Sequence, residues 1–326
     1  MIRARITGTG FAVPERVLTN ADLEKMVDTS DEWITARTGI KQRYIAGRNE
    51  YTSTFATSAA EKAMAMAGIG PEDIDLLIVA TVTPDFPFPS TACLVQNNLK
   101  AINATAFDIA AACSGFLYGL SLAEKYIKTG SARRALIIGA EVLSRVVDWT
   151  DRNTCCLFGD GAGAVVVEPS ADDGGILSTH IHSDGRHWEL LYQPGAGNRN
   201  PASQKTLDEK HAYINMQGNE VFKLAVRAME EVALEALAAN NLTTSDINLF
   251  IPHQANRRII DAIGKRLGIN GEQLYINLER YGNTSSASIP IALDEVNRSG
   301  RIKEGDIVLL DAFGGGMTWG ATLIRW

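Results

Sequence analysis

The 326-residue sequence predicts an α/β fold made of two copies of one unit. Three observations point to it. Short, continuously apolar runs with strand character alternate with longer stretches of helical period, as in sheets covered on both faces. The segment Asp73-Ile74-Asp75-Leu76-Leu77-Ile78 recurs as Asp246-Ile247-Asn248-Leu249-Phe250-Ile251, each copy preceded by an alanine-rich helical stretch. Cys113 stands 17 residues before the helix-ending Gly130, and Asn283 stands 17 before Gly300. Packing the halves 1–171 and 172–326 about a pseudo-twofold axis starts their central helices side by side. Cys113 and Asn283 then hold corresponding places at one cavity.

In order along the chain, a strand over 2–9 leads through a Gly and Pro turn to a helical pattern over 20–27. Thr29 or Ser30 then caps a short helix that carries Trp33 and Arg37 four residues apart, hence on one face. An alanine-rich helix over 52–67 stops at Gly68 and is followed by a buried strand over 75–81. Thr83-Pro84-Asp85-Phe86-Pro87-Phe88-Pro89-Ser90 is a rigid loop, because its prolines remove donors and fix the chain. The strand beginning at Thr105 ends in small residues, and a helix runs over 113–129. A strand over 135–140 follows. Phe158-Gly159-Asp160-Gly161-Ala162-Gly163-Ala164 feeds another strand rather than a helix, so its glycines read as close backbone packing and not as a phosphate loop. From Gly175 the pattern restarts: a strand carrying His180 and His182, a surface loop over 193–210, a long helix over 219–240, a strand over 248–252, and a basic helix with Arg257, Arg258, Lys265 and Arg266.

Composition narrows the partners. A formal charge of -7 gives no global attraction to nucleic acid or anionic membrane, so an anionic partner must meet a local patch such as that basic helix. No apolar run is as long as a membrane span and the chain opens in a strand, which leads us to expect a cytoplasmic protein. The four cysteines have neither zinc-ligand nor disulfide-framework spacing, and Cys93, Cys155 and Cys156 read as core. His180, His182 and His187 lack a carboxylate to complete a ligand pattern, so no metal is expected.

The chemistry gathers at strand ends. Cys113 falls where strand changes to helix, near unpaired N–H groups and the positive end of the dipole, both of which favour thiolate. Ala111, Ala112, Ser114 and Gly115 leave room for a carbonyl beside it. His253 follows the strand over 248–252, Asn283 sits in Tyr281-Gly282-Asn283-Thr284-Ser285, and Phe313-Gly314-Gly315-Gly316 exposes backbone N–H groups of the kind an oxyanion site uses. Two schemes employ such a set. In a papain-like hydrolase the histidine deprotonates the cysteine and the asparagine orients the histidine. In a decarboxylating condensation the histidine and asparagine donate hydrogen bonds to the oxygen of a malonyl thioester. Duplication favours the second, because it sets Asn283 facing the cavity as the counterpart of Cys113.

These motifs resemble the β-ketoacyl-acyl carrier protein synthase III family of the thiolase superfamily. The likeness runs nearly end to end, through Asp28-Thr29-Ser30-Asp31-Glu32-Trp33, Asp108-Ile109-Ala110-Ala111-Ala112-Cys113-Ser114-Gly115, Asp151-Arg152, His253-Gln254-Ala255-Asn256, Tyr281-Gly282-Asn283-Thr284-Ser285 and Gly314-Gly315-Gly316. The resemblance implies a thiolase-like, five-layered αβαβα fold of two duplicated halves, forming a homodimer. It implies Cys113, His253 and Asn283 as the catalytic set, with backbone N–H groups of Cys113 and Gly315 as the oxyanion hole. Trp33 and Arg152 are expected to sandwich the adenine of coenzyme A with Arg37 and Thr29 nearby, and Gly218 and Asn219 to line the pantetheine tunnel. Phe88 and Phe313 are expected at the acyl pocket, Phe88 reaching it across the dimer. Arg258, with Arg257 and Lys265, is expected to dock the carrier protein. Acyl-CoA and malonyl-acyl carrier protein are the implied substrates, coenzyme A entering as a thioester substrate and not as a cofactor. A related condensing enzyme of secondary metabolism and a noncatalytic acyl-CoA binding protein are the rival readings.

Overall fold

The structure is a computed structural model that describes residues 2–269 and 271–326; Met1, the first residue of the expected N-terminal half, lies outside it. Two sheets organise the chain. The first contains, in spatial order, the strands Arg3–Ala12, Asp160–Ser170, Ala135–Val142, Leu76–Ala80 and Thr105–Ile109. The second contains Leu249–Pro252, Ile307–Gly314, Thr318–Arg325 and Gly175–Ser183. In each, the strand bearing the repeated motif pairs in parallel with its central neighbour, and the strands beyond that neighbour run antiparallel. Where the first sheet has Thr105–Ile109, the second has only an isolated parallel bridge between Phe250 and Leu274.

Five layers follow from which faces are apolar. Helices Thr52–Ala67 and Thr91–Leu99 cover the outer face of the first sheet, packing Ala56, Ala59, Ala63 and Val95 on Leu77, Val79 and Leu136. Helices Gly218–Ala239 and Arg257–Leu267 do the same for the second, setting Met229, Val232 and Ile263 on Phe250, Leu309 and Leu323. Between the sheets lie Gly115–Lys128 and Ser288–Arg298, whose Phe116, Leu120, Leu293 and Val296 meet Ile78, Ile137, Ile251 and Leu310. Covered on both sides, Leu76–Ala80 is buried at every position, which accounts for its unbroken apolar run. Among the described residues, no helix is long and apolar enough to cross a membrane.

The glycines of the 158–164 stretch are packing glycines, as their sequence context implied. A Cβ on Gly163 would lie 2.7 Å from the backbone of Pro290 and Ile291, so the second half's central helix rests directly on the first sheet. Three local expectations change. The helix expected over 20–27 is one turn, Asn20–Leu23, of which only Asn20 and Leu23 are buried. The stretch 193–210 contains the short helix Gln204–Asp208. Cys93 is half-buried instead of core, while Cys155 and Cys156 are buried.

The register of the duplication also needs correction. Each central helix is entered through a tight 3-10 turn, Ala112–Ser114 in one half and Ser285–Ala287 in the other. The first residue of each turn has a left-handed φ, +46° at Ala112 and +49° at Ser285. Matching these turns pairs Cys113 with Ser286, not with Asn283. The count back from Gly130 and Gly300 misleads because the helices differ in length, 14 residues against 11.

Candidate active site

Cys113 sits in the turn before Gly115–Lys128, one residue beyond the left-handed Ala112. The second half pins this turn. Ser114 Oγ donates to Thr318 Oγ1 at 2.8 Å, and Thr318 Oγ1 donates to the Ala111 carbonyl at 2.9 Å. Gly314 comes so close that a Cβ there would lie 2.6 Å from the Cys113 nitrogen, which explains the first glycine of the triplet. Gly315 follows it and lies against Ala112 and Leu191. Cys113 is half-buried, and the surrounding protein pushes its thiol up to about 12, desolvation exceeding a favourable contact from the Ser285 hydroxyl. Burial thus opposes the helix N-terminus, which favours thiolate.

His253 continues the strand Leu249–Pro252, its N–H donating to the Asp311 carbonyl at 2.7 Å. Its ring is buried, and desolvation pushes its pKa down to about 3, so it is neutral. Nδ1 lies 2.7 Å from Ser288 Oγ, which also accepts from the Gln254 N–H at 3.3 Å. A neutral imidazole that accepts from Ser288 at Nδ1 carries its proton on Nε2. Asn283 is fixed by its backbone, its N–H donating to the Leu157 carbonyl at 2.9 Å and its carbonyl accepting from Gly159 at 3.0 Å. Its side-chain Oδ1 accepts from the Ser285 N–H at 2.9 Å, which leaves Nδ2 as the outward donor.

All three residues line one cavity of about 480 Å³. Exposure decreases along it, from Arg37, Arg152 and Arg258 at the surface to His253, Asn283 and Phe313, which are buried. Trp33, Gly218 and Asn219 also line it. The sequence reading missed its apolar wall. Phe222, Ala225 and Met229 stand at i, i+3 and i+7 on the helix Gly218–Ala239, a spacing that could have revealed them. It also missed Ser285 and Ser288, whose roles arise only from tertiary contacts.

Other expected residues lie off the cavity lining. Phe88 is 86% exposed, and Arg257 is ion-paired to Asp261. Lys265 lies in the last turn of its helix, and the Thr29 hydroxyl is buried beside Cys156. Arg258 lines the cavity and lies over the Phe222 ring. At the surface, Arg37 and Arg152 lie 4.5 and 5.0 Å from the Trp33 ring centroid, and Arg152 donates to the Asp28 carbonyl at 2.9 Å. A ring sandwiched between Trp33 and Arg152 needs about 7 Å, two carbon contact distances. Arg152 lies over Trp33 at less than that spacing. Elsewhere, His180 and His182 do meet a carboxylate, Glu235, at 3.0 and 2.7 Å. Among the described residues, no group of three His, Cys, Asp or Glu side chains could hold a metal ion.

Solved structures share this architecture. 3-Oxoacyl-[acyl-carrier-protein] synthase III from Aquifex aeolicus matches with a TM-score of 0.92 and 52% identity, over 99% of this chain and 100% of that one. The priming β-ketosynthase of the R1128 polyketide pathway matches with a TM-score of 0.91 and 35% identity, over 99% and 96%. The chain is thus an acyltransferase of the thiolase fold. Family models described as 3-oxoacyl-[acyl-carrier-protein (ACP)] synthase III and its C-terminal part match residues 107–185 and 237–326. Beta-ketoacyl-[acyl-carrier-protein] synthase III of Caldanaerobacter subterraneus is 55% identical over 325 residues, covering 100% of this chain and 98% of that protein. The like-named protein of Natranaerobius thermophilus is 54% identical over the full length of both. The chain belongs to the β-ketoacyl-[acyl-carrier-protein] synthase III family.

Proposed function

We propose that this chain condenses a short acyl group, carried by coenzyme A, with malonyl-acyl carrier protein, giving 3-oxoacyl-acyl carrier protein and carbon dioxide as the opening step of type II fatty acid synthesis. Cys113 attacks the acyl thioester, the tetrahedral oxyanion is held by backbone N–H groups of Cys113 and Gly315, and coenzyme A leaves as the thiol. Malonyl-acyl carrier protein enters next. Nε2–H of His253 and Nδ2–H of Asn283 donate to its thioester oxygen as carbon dioxide departs. The resulting enolate carbon attacks the acyl-cysteine and restores the sulfur of Cys113.

One observation carries this reading: Cys113 of the first half lines the same cavity as His253 and Asn283 of the second, and Ser288 meets Nδ1 of the buried imidazole. A papain-like arrangement calls for Asn283 on the imidazole. Ser288 holds that position instead. Trp33, Arg37 and Arg152 suit the nucleotide end of coenzyme A, with Arg152 turning aside to admit the adenine. Gly218 and Asn219 line the pantetheine path, Phe313 bounds the acyl end, and Arg258 with Lys265 meets the acidic carrier. The reading includes a cytoplasmic homodimer, with Phe88 completing the partner's acyl pocket, and requires no cofactor.

Mass spectrometry of the intact protein after exposure to acetyl-CoA tests it. An acetyl adduct mapped to Cys113, discharged by malonyl-acyl carrier protein with release of carbon dioxide, is the expected result. Binding without an adduct indicates a noncatalytic acyl-CoA protein, and release of free acetate without condensation indicates a hydrolase.

A further inference from the structure

We propose that Glu141 is a positioning residue for the decarboxylation step, gripping the Ser285–Ala287 turn and through it the amide of Asn283. The inference rests on reading Asn283 as a donor to the malonyl thioester.

Glu141 lies in the strand Ala135–Val142 of the first half and is fully buried. Its carboxylate takes no part in an ion pair among the described residues. It is surrounded instead by hydrogen-bond donors from two directions. From the first half come Thr81 Oγ1 at 3.2 Å, the Val82 N–H at 3.2 Å and Thr83 Oγ1 at 2.6 Å. From the second come Ser285 Oγ at 3.1 Å and Ser286 Oγ at 3.2 Å, the latter also reaching the Ala80 carbonyl at 2.8 Å. The threonine hydroxyls already accept backbone N–H groups, Thr81 from Thr83 and Thr83 from Val142, so their protons are directed at Glu141. Burial pushes the Glu141 carboxyl up to about 7 while hydrogen bonds from Thr83, Val82, Ser285 and Ser286 pull it down, and this ring of donors favours an accepting carboxylate over an amide.

The second-half contacts fall on the residue that most needs holding. Ser285 has the left-handed φ of +49°, unfavourable for a side chain other than glycine, and its N–H is the donor that orients Asn283 Oδ1 at 2.9 Å. Ser285 therefore meets the carboxylate with its side chain and the catalytic amide with its backbone. The matching turn at Ala112 has no side-chain hydroxyl on its left-handed residue and is held instead through Ser114 and Thr318. Glu141 thus secures the turn before the second central helix across the junction between the halves.

Glu141→Gln keeps the volume and places an NH2 among the donors. The expected result is that acylation of Cys113 by acetyl-CoA stays within about threefold of the parent, while kcat for malonyl-thioester decarboxylation falls about 10- to 100-fold with KM little changed, because misplacing one donor costs on that scale. Ser285→Ala removes the same contact from the other side and serves if Glu141→Gln folds poorly, read on decarboxylation alone because this hydroxyl also meets the Cys113 thiol. The double variant is expected to be no worse than the more severe single one, the signature of a shared interaction. Unchanged decarboxylation in both folded single variants overturns the proposal, as does an equal fall in acylation and decarboxylation in Glu141→Gln. Asn283→Ala, run in parallel, separates the two layers: if it decarboxylates normally, the reading of Asn283 is what fails.

Discussion

Cys113 shows how a residue-level argument can have the right parts and the wrong balance. A helix N-terminus favours an anion by about 0.3–1 kcal/mol. Raising a thiol from its ordinary range to about 12 corresponds to about 4 kcal/mol in the opposite direction. Burial wins, and the resting side chain is the thiol. The rate of alkylation by iodoacetamide at Cys113 should therefore climb about tenfold per pH unit from about pH 6 to 9. A plateau below about pH 8, followed by peptide mapping to Cys113, would show that the dipole prevails. The place of Cys113 between strand and helix was legible in the sequence. Its depth was not, because Glu141, Ser285 and Gly314 come to it from far along the chain. Ser288 was hidden for the same reason: nothing local says that a serine opening one helix will meet a histidine 35 residues earlier.

At the level of elements, the sequence displayed the repeat but not its register. The paired apolar motifs identified equivalent strands correctly, since each pairs in parallel with the central strand of its own sheet. Counting residues from the helix ends failed because one central helix is three residues longer than the other, and length is set by packing at the far end. What the halves share is the left-handed entry turn, at Ala112 and Ser285, which a composition of Ala, Ser and Cys does not announce. Gly139 shows how tightly that turn is seated on the first sheet. A Cβ there would lie 2.2 Å from the Ser286 carbonyl oxygen, a backbone atom with little room to retreat. Gly139→Ala should lower stability by about 1–3 kcal/mol by thermal denaturation. It should also slow decarboxylation, since the displaced turn carries the Ser285 N–H that holds Asn283 Oδ1. Gly185, with open space around it, provides the control: Gly185→Ala should change neither measurement.

Across the whole molecule, the two sheets divide the labour in the proposed reaction. One brings a sulfur nucleophile on the turn before its central helix. The other brings two neutral donors, one from a strand end and one from the segment before its own entry turn, and the interface between halves becomes the floor of a shared cavity. The α/β fold class was readable from periodicity and repetition. Arg152 stacked on Trp33, and the exposure of Phe88, were not, because side-chain placement at a surface is set by neighbours that periodicity does not specify. The central claim is that each half performs a separable half-reaction. Its most direct test is to measure both partial reactions, Cys acylation by acetyl-CoA and decarboxylation of malonyl-acyl carrier protein, in folded Cys113→Ala and His253→Ala. The account predicts that Cys113→Ala decarboxylates without forming an acyl-enzyme, and that His253→Ala forms the acyl-enzyme without decarboxylating. A His253→Ala protein that cannot be acylated would contradict it, because the imidazole would then be serving the sulfur rather than the malonyl thioester.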